Sequence, residues 1–195
     1  MNPSYATAHQ WRAVNLLVTG HPAEGAQALD PAFLIIMADT VQMDLFTGRL
    51  QDAEAQGKRA LDIDPSFSLA RAWLSWAYTG EHRFVDAAAV LGPRAELSDS
   101  TRLDALAYSY ASAGRRSDAR ELLGQLIQRA REEHGLDFMV ASTYAALGDA
   151  DGMAPWLEKA YSERSGAMLL LPLHPKFAPV RGDARYEEFV SRVGL

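Results

Sequence analysis

The chain has 195 residues, of which 48% are hydrophobic and 23% are charged, a composition typical of a soluble folded domain. Its net charge of −6 disfavours a nucleic-acid-binding function, because such proteins normally carry a basic surface that neutralises phosphates. It contains no cysteine, which excludes disulfides and thiolate metal sites and leaves the cellular compartment open.

A short sequence phrase recurs with a period near 34 residues. It comprises a small residue, an aromatic residue three positions later, a turn glycine, and a small residue on the following helix. The copies, some of them incomplete, are Ala107, Tyr110, Gly114 and Ala119; Ala141, Tyr144, Gly148 and Met153; Ser75, Tyr78 and Ala87; Val41, Gly48 and Ala53; and Ala13, Gly20 and Gly25. This period is typical of two-helix units that stack because one unit alone cannot bury its apolar face. The sequence therefore predicts an all-α fold, a right-handed superhelical array of antiparallel helix pairs.

Five helix pairs are predicted along the chain. The first helices of the pairs are Tyr5–Thr19, Ala32–Thr47, Phe67–Thr79, Thr101–Ala113 and Leu136–Leu147. Each ends near a glycine that can adopt the left-handed C-cap conformation, namely Gly20, Gly48, Gly80, Gly114 and Gly148. The partner helices are Pro22–Leu29, Leu50–Ile63, Phe84–Leu97, Ser117–Glu133 and Asp151–Glu163.

Two places depart from the regular pattern. The first pair has twelve residues from Gly20 to Pro31, against eighteen from Gly48 to Pro65 in the second. Its second helix would be too short to cover the first, so either a stretch is missing between Glu24 and Gln27 or this pair is a degenerate terminal repeat. The dipeptide Gly92-Pro93 predicts a kink or an early helix end near Ala89.

The segment after the fifth pair is predicted to close the array. Gly166–Leu171 is expected to form a short helix, three prolines then predict an extended path, and Asp183–Val193 is an amphipathic helix. The prolines are Pro172, Pro175 and Pro179, and the apolar face of the last helix comprises Tyr186, Phe189, Val190 and Val193. We expect residues 1–165 to form the five pairs and residues 166–195 to form a terminal cap, all within one domain.

The sequence predicts neither a membrane segment nor a signal peptide. The longest apolar run, Ala167–Leu173, is far shorter than the roughly 20 residues needed to span a bilayer. The N-terminus, Met1–Ser4, leads directly into a polar helix. We therefore expect a cytoplasmic protein. Because helix begins abruptly near Tyr5, we also expect this chain to be a piece of a longer protein.

Three stretches of the chain resemble the tetratricopeptide repeat (TPR) family. They are Tyr5–Trp11, Gly148-Asp149 with Trp156–Tyr161, and the ending His174–Arg181 with Arg192–Leu195. More narrowly, they resemble the C-terminal TPR region of bacterial signalling proteins, namely winged-helix transcriptional regulators, adenylate cyclases and serine/threonine kinases. In that group an acid commonly stands at the place of His174 and a proline at that of Ala184. The resemblance implies a protein-binding scaffold with diverse partners and an effector domain N-terminal to Met1.

The sequence does not predict a catalytic or metal-binding site. The histidines are His9, His21, His82, His134 and His174, and no two of them lie four residues apart on one helix. Asp149–Gly152 begins like a calcium loop, but Met153 and Ala160 stand where oxygen ligands would be needed. No phosphate loop or nucleophile elbow is present, and no convergent set of titratable groups is expected. We predict that the chain is not an enzyme and holds no metal or cofactor.

A concave groove lined by the first helix of each pair is the candidate binding site. By helical phase its inward-facing residues include Ile35, Gln42, Leu45, Leu69, Trp76, Asp104, Tyr108 and Phe138. Trp76 and Tyr108 are expected to be partly exposed there as aromatic anchors for a peptide. The recurring residues Ala107, Tyr110, Ala141 and Tyr144 are expected to be buried between helices. Alternatively, the closing segment or a neighbouring molecule fills the groove.

Two functional hypotheses follow. The first is an interaction module of a signalling or transcription protein that binds a peptide, a partner domain or a second copy of itself. The second is a regulatory domain that senses a small ligand in an apolar pocket and controls an attached effector. A closed apolar pocket around Trp76 and Tyr108 would favour the second hypothesis, whereas an open groove would favour the first.

Overall fold

The structure, a computed structural model, describes residues 31–93 and 99–194, with the backbone alone described for residues 31–33, 35 and 36. The predicted first helix pair and the stretch expected to be missing between Glu24 and Gln27 lie outside the described residues. All regular secondary structure of the described residues is helical, and these residues contain no β-strand. Their α-helices are α1 (Pro31–Phe46), α2 (Leu50–Ile63), α3 (Ser68–Gly80), α4 (Phe84–Leu91), α5 (Ser100–Ser112), α6 (Arg116–Ala130), α7 (Asp137–Ala146), α8 (Ala150–Ser162) and α9 (Ala184–Val193). Two 3-10 helices, η1 (Gly166–Leu170) and η2 (Pro175–Val180), lie between α8 and α9.

Helices that are adjacent in sequence pack against one another along the whole described chain. Each helix from α1 to α8 contacts the next one. In addition α1 contacts α3, α3 contacts α5 and α5 contacts α7, so these four helices form one continuous row. Helix η2 packs against α7 at the end of that row. All the predicted groove residues belong to the four helices of this row.

Small residues allow the helices to approach closely, as the recurring phrase predicts. Five alanines of that phrase have no exposed surface, namely Ala53, Ala87, Ala107, Ala119 and Ala141. A larger side chain at such a position would push the helix axes apart. The expected burial of Tyr110 and Tyr144 is wrong, because both side chains are only half-buried. At Tyr110 the Arg115 guanidinium lies 4.0 Å from the ring centroid and covers one face of the ring.

The turn that ends α3 differs from the prediction. Gly80 is still helical, and the left-handed conformation falls on His82, with φ of 60°. The turn is closed by a hydrogen bond of 2.8 Å from the Arg83 amide to the Tyr78 carbonyl. The left-handed residue of this turn is the one directly before Arg83, which is His82. In the next pair Gly114 occupies the equivalent position after Tyr110. The other predicted glycines in the described residues, Gly48, Gly114 and Gly148, adopt the left-handed conformation as expected.

Of the two predictions that depend on prolines, one is confirmed and the other is wrong. Helix α4 ends at Leu91, and Gly92 turns the chain with φ of 81° before Pro93, as predicted. The extended path predicted after Pro172 is wrong, because Pro175–Val180 forms η2. Proline fixes φ near its helical value and is therefore compatible with the first turn of a helix.

The core consists of two main clusters that meet at shared residues. One joins the helices from α1 to α7 and includes Val41, Trp76 and Leu122. The other joins α7 and α8 to η1, η2 and α9, which contributes Tyr186 and Phe189. Half-buried Tyr144 and Trp156 pack against both clusters. Among the described residues, no helix has the length and apolar character needed to cross a membrane.

Candidate ligand-binding site

Five of the eight predicted groove residues line one cavity. Gln42, Leu69, Trp76, Asp104 and Phe138 come from α1, α3, α5 and α7, and the side-by-side packing of these helices brings them together. The remaining three do not line it. Leu45 is buried in the core, Tyr108 lies beside Lys176, and the Ile35 side chain is outside the described residues.

The groove is not open, because the chain's own residues 172–180, here called the C-terminal segment, cover it. The predicted partial exposure of Trp76 is wrong, since this residue is only 4% exposed. The His174 ring lies 5.1 Å from the Trp76 ring, centroid to centroid, and 5.4 Å from the Phe138 ring. Tyr108 does remain partly exposed, as predicted. The alternative in which the closing segment fills the groove is therefore the one observed.

A buried ion pair holds the C-terminal segment against α5. The Lys176 side chain has no exposed surface, and its ammonium donates a hydrogen bond to the Asp104 carboxylate. The Thr143 hydroxyl of α7 donates to the same carboxylate at 2.9 Å. The Lys176 ammonium also lies 4.5 Å from the Trp76 ring centroid. Burial lowers the pKa of Lys176, and the charge of Asp104 opposes that shift.

His174 is enclosed by aromatic rings. Besides Trp76 and Phe138, the rings of Phe46 and Phe177 lie 5.4 Å from it, centroid to centroid. Burial first, and then the positive charge of Lys176, hold the pKa of His174 well below its usual value. The imidazole is therefore neutral at pH 7. Its Nδ1 atom has no hydrogen-bond partner among the described residues.

A cavity of about 200 Å³ remains between the groove and the C-terminal end of the chain. Its wall is mostly apolar and includes the rings of Trp73 and Trp76, which meet edge to face at 4.8 Å between centroids. His174 closes the cavity from the segment side. Its other lining residues are Gln42, Leu69, Ala72, Thr101, Asp104, Phe138, Met139, Ser142, Ala167 and Leu170.

The site brings together titratable groups that the sequence did not predict to converge. Asp104, His174 and Lys176 lie together here, and burial lowers the pKa of His174 and of Lys176. The Lys176 ammonium is bound to Asp104 and does not line the cavity. His174 does line it, and its Nδ1 has no hydrogen-bond partner among the described residues.

Sequence reasoning missed His174 and Lys176 as site residues. They lie in the predicted cap, and Lys176 is 72 residues away from its partner Asp104. The one sequence feature that could have indicated them is the charged residue Lys176 within an apolar, proline-rich ending. No cluster of three or more potential metal-ligating side chains occurs in residues 31–93 and 99–194.

No family model, curated protein or solved structure matches this chain. Membership of the TPR family therefore stays a prediction that depends on the repeated phrase and on the stretches that resemble the family.

Proposed function

We propose that this chain is a non-enzymatic regulatory module that binds a small ligand between the groove and the C-terminal segment. The observation that carries the proposal is the cavity beside Trp73, Trp76 and Phe138. Small-molecule sites are typically concave and mostly apolar, with a few polar groups that orient the ligand. Here Gln42 and Thr101 supply an amide and a hydroxyl at the wall.

The C-terminal segment gives such a site a means of regulation. His174 belongs both to the cavity wall and to the segment, so an occupant of the cavity contacts the segment directly. The segment can be seated in the groove or released from it. A ligand that binds the seated state more tightly increases the population of that state, and the size of the increase is set by the difference in its affinity for the two states. An effector domain attached to the chain could respond to this shift.

The same proposal includes the arrangement of the helices and the kind of protein to which the chain belongs. We infer a TPR-like array within a bacterial signalling or transcription protein of the cytoplasm. The continuous row formed by α1, α3, α5 and α7, with a partner helix after each, supports the array. The resemblance of Gly148-Asp149 with Trp156–Tyr161, and of the ending His174–Arg181 with Arg192–Leu195, to the family supports the signalling role. Folds of this kind serve many functions, so the role is argued from the site.

A second candidate function is binding of a protein partner in the groove itself. The chain's own segment already occupies the groove as a stretch of polypeptide, with Lys176 seated against Asp104. A partner peptide that presents a lysine beside aromatic residues could replace the segment. A second copy of the chain could do the same by exchanging its own ending, which would give a homo-oligomer.

The test of the proposed function is a fragment screen with a site-specific readout. Mixed small fragments, charged and uncharged, are added to the ¹⁵N-labelled chain, and the indole N–H signals of Trp73, Trp76 and Trp156 are compared. We expect at least some fragments to move the first two signals and to slow amide exchange in residues 166–180. Trp156 is the internal control, because it does not line the cavity.

Failure of every fragment to move the Trp73 and Trp76 signals would overturn the small-ligand proposal. In the same experiment, a synthetic peptide of residues 172–181 tests the second candidate. Displacement of the native segment, seen as faster amide exchange in residues 172–180, would favour a peptide-binding groove. Unchanged exchange with excess peptide would argue against it.

A further inference from the structure

The charges around the cavity balance one another. Among the described residues that line the cavity, Asp104 is the one with a charged side chain, and its carboxylate is paired with the buried ammonium of Lys176. The third titratable group, His174, is neutral at pH 7 because burial and the neighbouring Lys176 lower its pKa. A charged ligand would lose its hydration without gaining an unpaired opposite charge, which is unfavourable in an apolar site.

The shape and the lining of the cavity favour a ring. Four aromatic side chains stand at its wall, namely Trp73, Trp76, Phe138 and His174. Aromatic rings prefer edge-to-face or offset contacts with other rings, and Trp73 and Trp76 already make such a contact with each other. The cavity volume is about 200 Å³. In another protein an apolar cavity of about 150 Å³ is large enough to bind benzene.

We propose that the cavity binds an uncharged molecule of the size of a single aromatic ring, with one polar substituent such as a hydroxyl. The ring packs between Trp73, Trp76 and Phe138, and the substituent reaches the amide of Gln42 or the hydroxyl of Thr101. This inference rests on the proposed function, because it names the ligand class of the same site.

Four probes that differ in one property at a time test this proposal. Benzyl alcohol, benzoate and benzylammonium share the ring and differ in charge, while cyclohexylmethanol is neutral but not aromatic. Affinities for the native chain are measured by calorimetry at pH 7.5. We expect benzyl alcohol to bind at least about tenfold more tightly than either charged probe, because each must bury a charge without a free partner. We also expect cyclohexylmethanol to bind more weakly than benzyl alcohol.

A cavity-filling variant shows whether the probes bind at this site. Ala167 is half-buried and lines the cavity, so Ala167→Leu is expected to weaken benzyl alcohol binding at least about tenfold. The matched control is Ala89→Leu, an exposed position on α4 that does not line the cavity, where affinity is expected to stay unchanged. If Ala167→Leu does not fold, the indole signals of Trp73 and Trp76 in the native chain report the binding site instead.

The outcomes separate this inference from the function on which it rests. Equal or tighter binding of benzoate or benzylammonium at Trp73 and Trp76 would overturn the ligand class and leave the binding function standing. Binding of benzyl alcohol that moves neither indole signal and survives Ala167→Leu would place the probe elsewhere and overturn the inference. Absence of binding by any of the probes and by any fragment would overturn both proposals.

Discussion

At the scale of single residues, His174 shows how a folded environment changes the chemistry of a side chain. The imidazole is 5% exposed and lies among aromatic rings, with the ammonium of Lys176 nearby. Both surroundings disfavour its protonated form, and its pKa lies well below the usual 6.5. The folded state therefore takes up this proton at a lower pH than the unfolded chain does.

The stability of the protein is predicted to fall on acidification through His174. Below about pH 6.5 the unfolded chain binds a proton at this residue that the folded chain does not, so acid favours unfolding. The stability that is fully present above the unfolded pKa is lost as the pH falls, by up to about 1.4 kcal/mol per pH unit. Urea unfolding between pH 7.5 and 5.5 measures this slope. His174→Phe is the control that keeps an aromatic ring, and a slope as steep in this variant as in the native chain would show that other groups are responsible.

A second residue-scale prediction concerns Gly152 at the start of α8. A β-carbon built there would lie 2.3 Å from two ring atoms of Tyr144, which is too close for any real contact. We expect Gly152→Ala to destabilise the protein by about 1–3 kcal/mol, because the ring must move. Gly124→Ala in α6 is the matched control, since its β-carbon meets no atom within 4 Å. That change is expected to stabilise the protein by about 0.5–1 kcal/mol through better helix propensity. Chemical denaturation of both variants checks the opposite signs, and a neutral Gly152→Ala would contradict the close approach.

At the scale of elements, the contact between η2 and the groove includes a buried ion pair beside the packing of Phe177 on Phe138. Lys176 comes from η2 and Asp104 from α5, and the hydroxyl of Thr143 in α7 completes the set. Buried pairs contribute little net stability, because removing two charges from water costs about as much as their attraction returns. Removing only one partner is different, because it leaves an uncompensated charge in the core.

This asymmetry predicts the result of a double-mutant cycle. Lys176→Met and Asp104→Leu are each expected to cost about 3–5 kcal/mol, whereas the double variant is expected to be more stable than either single one. Urea denaturation of the four proteins measures the coupling. The control is Arg192→Met, which removes an exposed pair with Glu158 and is expected to cost much less stability than either single variant. Additive single effects at Asp104 and Lys176 would show that the pair is not coupled.

At the scale of the whole molecule, the two core clusters are joined rather than separate. Tyr144 and Trp156 pack against both clusters. His174 adds a second connection, because its ring contacts Phe46 of α1 as well as Phe138 of α7. The C-terminal segment thus links parts of the chain that are far apart in sequence.

These links predict a single cooperative unfolding transition. Far-UV circular dichroism and tryptophan fluorescence are expected to give coincident thermal curves for the native chain. Tyr144→Ala removes a shared contact and is expected to separate the two curves by weakening the link between the clusters. Phe84→Ala, at a half-buried position on α4, is a comparison outside both clusters. Non-coincident curves in the native chain would show that the clusters unfold independently.

Much of the secondary structure follows from the sequence, because helix ends and helix faces are determined by residues that are close together in the chain. The Leu50–Ile63 helix was predicted with the bounds that the structure has. The buried alanines such as Ala107 and Ala141 follow from helical periodicity, and the early end of α4 follows from Gly92-Pro93. The sequence does not predict the left-handed turn residue at His82, because Gly80, two residues earlier, is the residue type that normally adopts this conformation.

What the sequence by itself determined is the helical order of the described residues and five of the residues that line the cavity. Gln42, Leu69 and Trp76 recur with helical phase, and phase is a property of neighbouring residues. What only the tertiary structure decided is the occupant of the groove. Neither the burial of Lys176 nor the enclosure of His174 follows from any periodicity, because both arise where the ending folds back onto helices formed by residues far earlier in the chain. Such a contact depends on the three-dimensional course of the whole array, which no local pattern encodes.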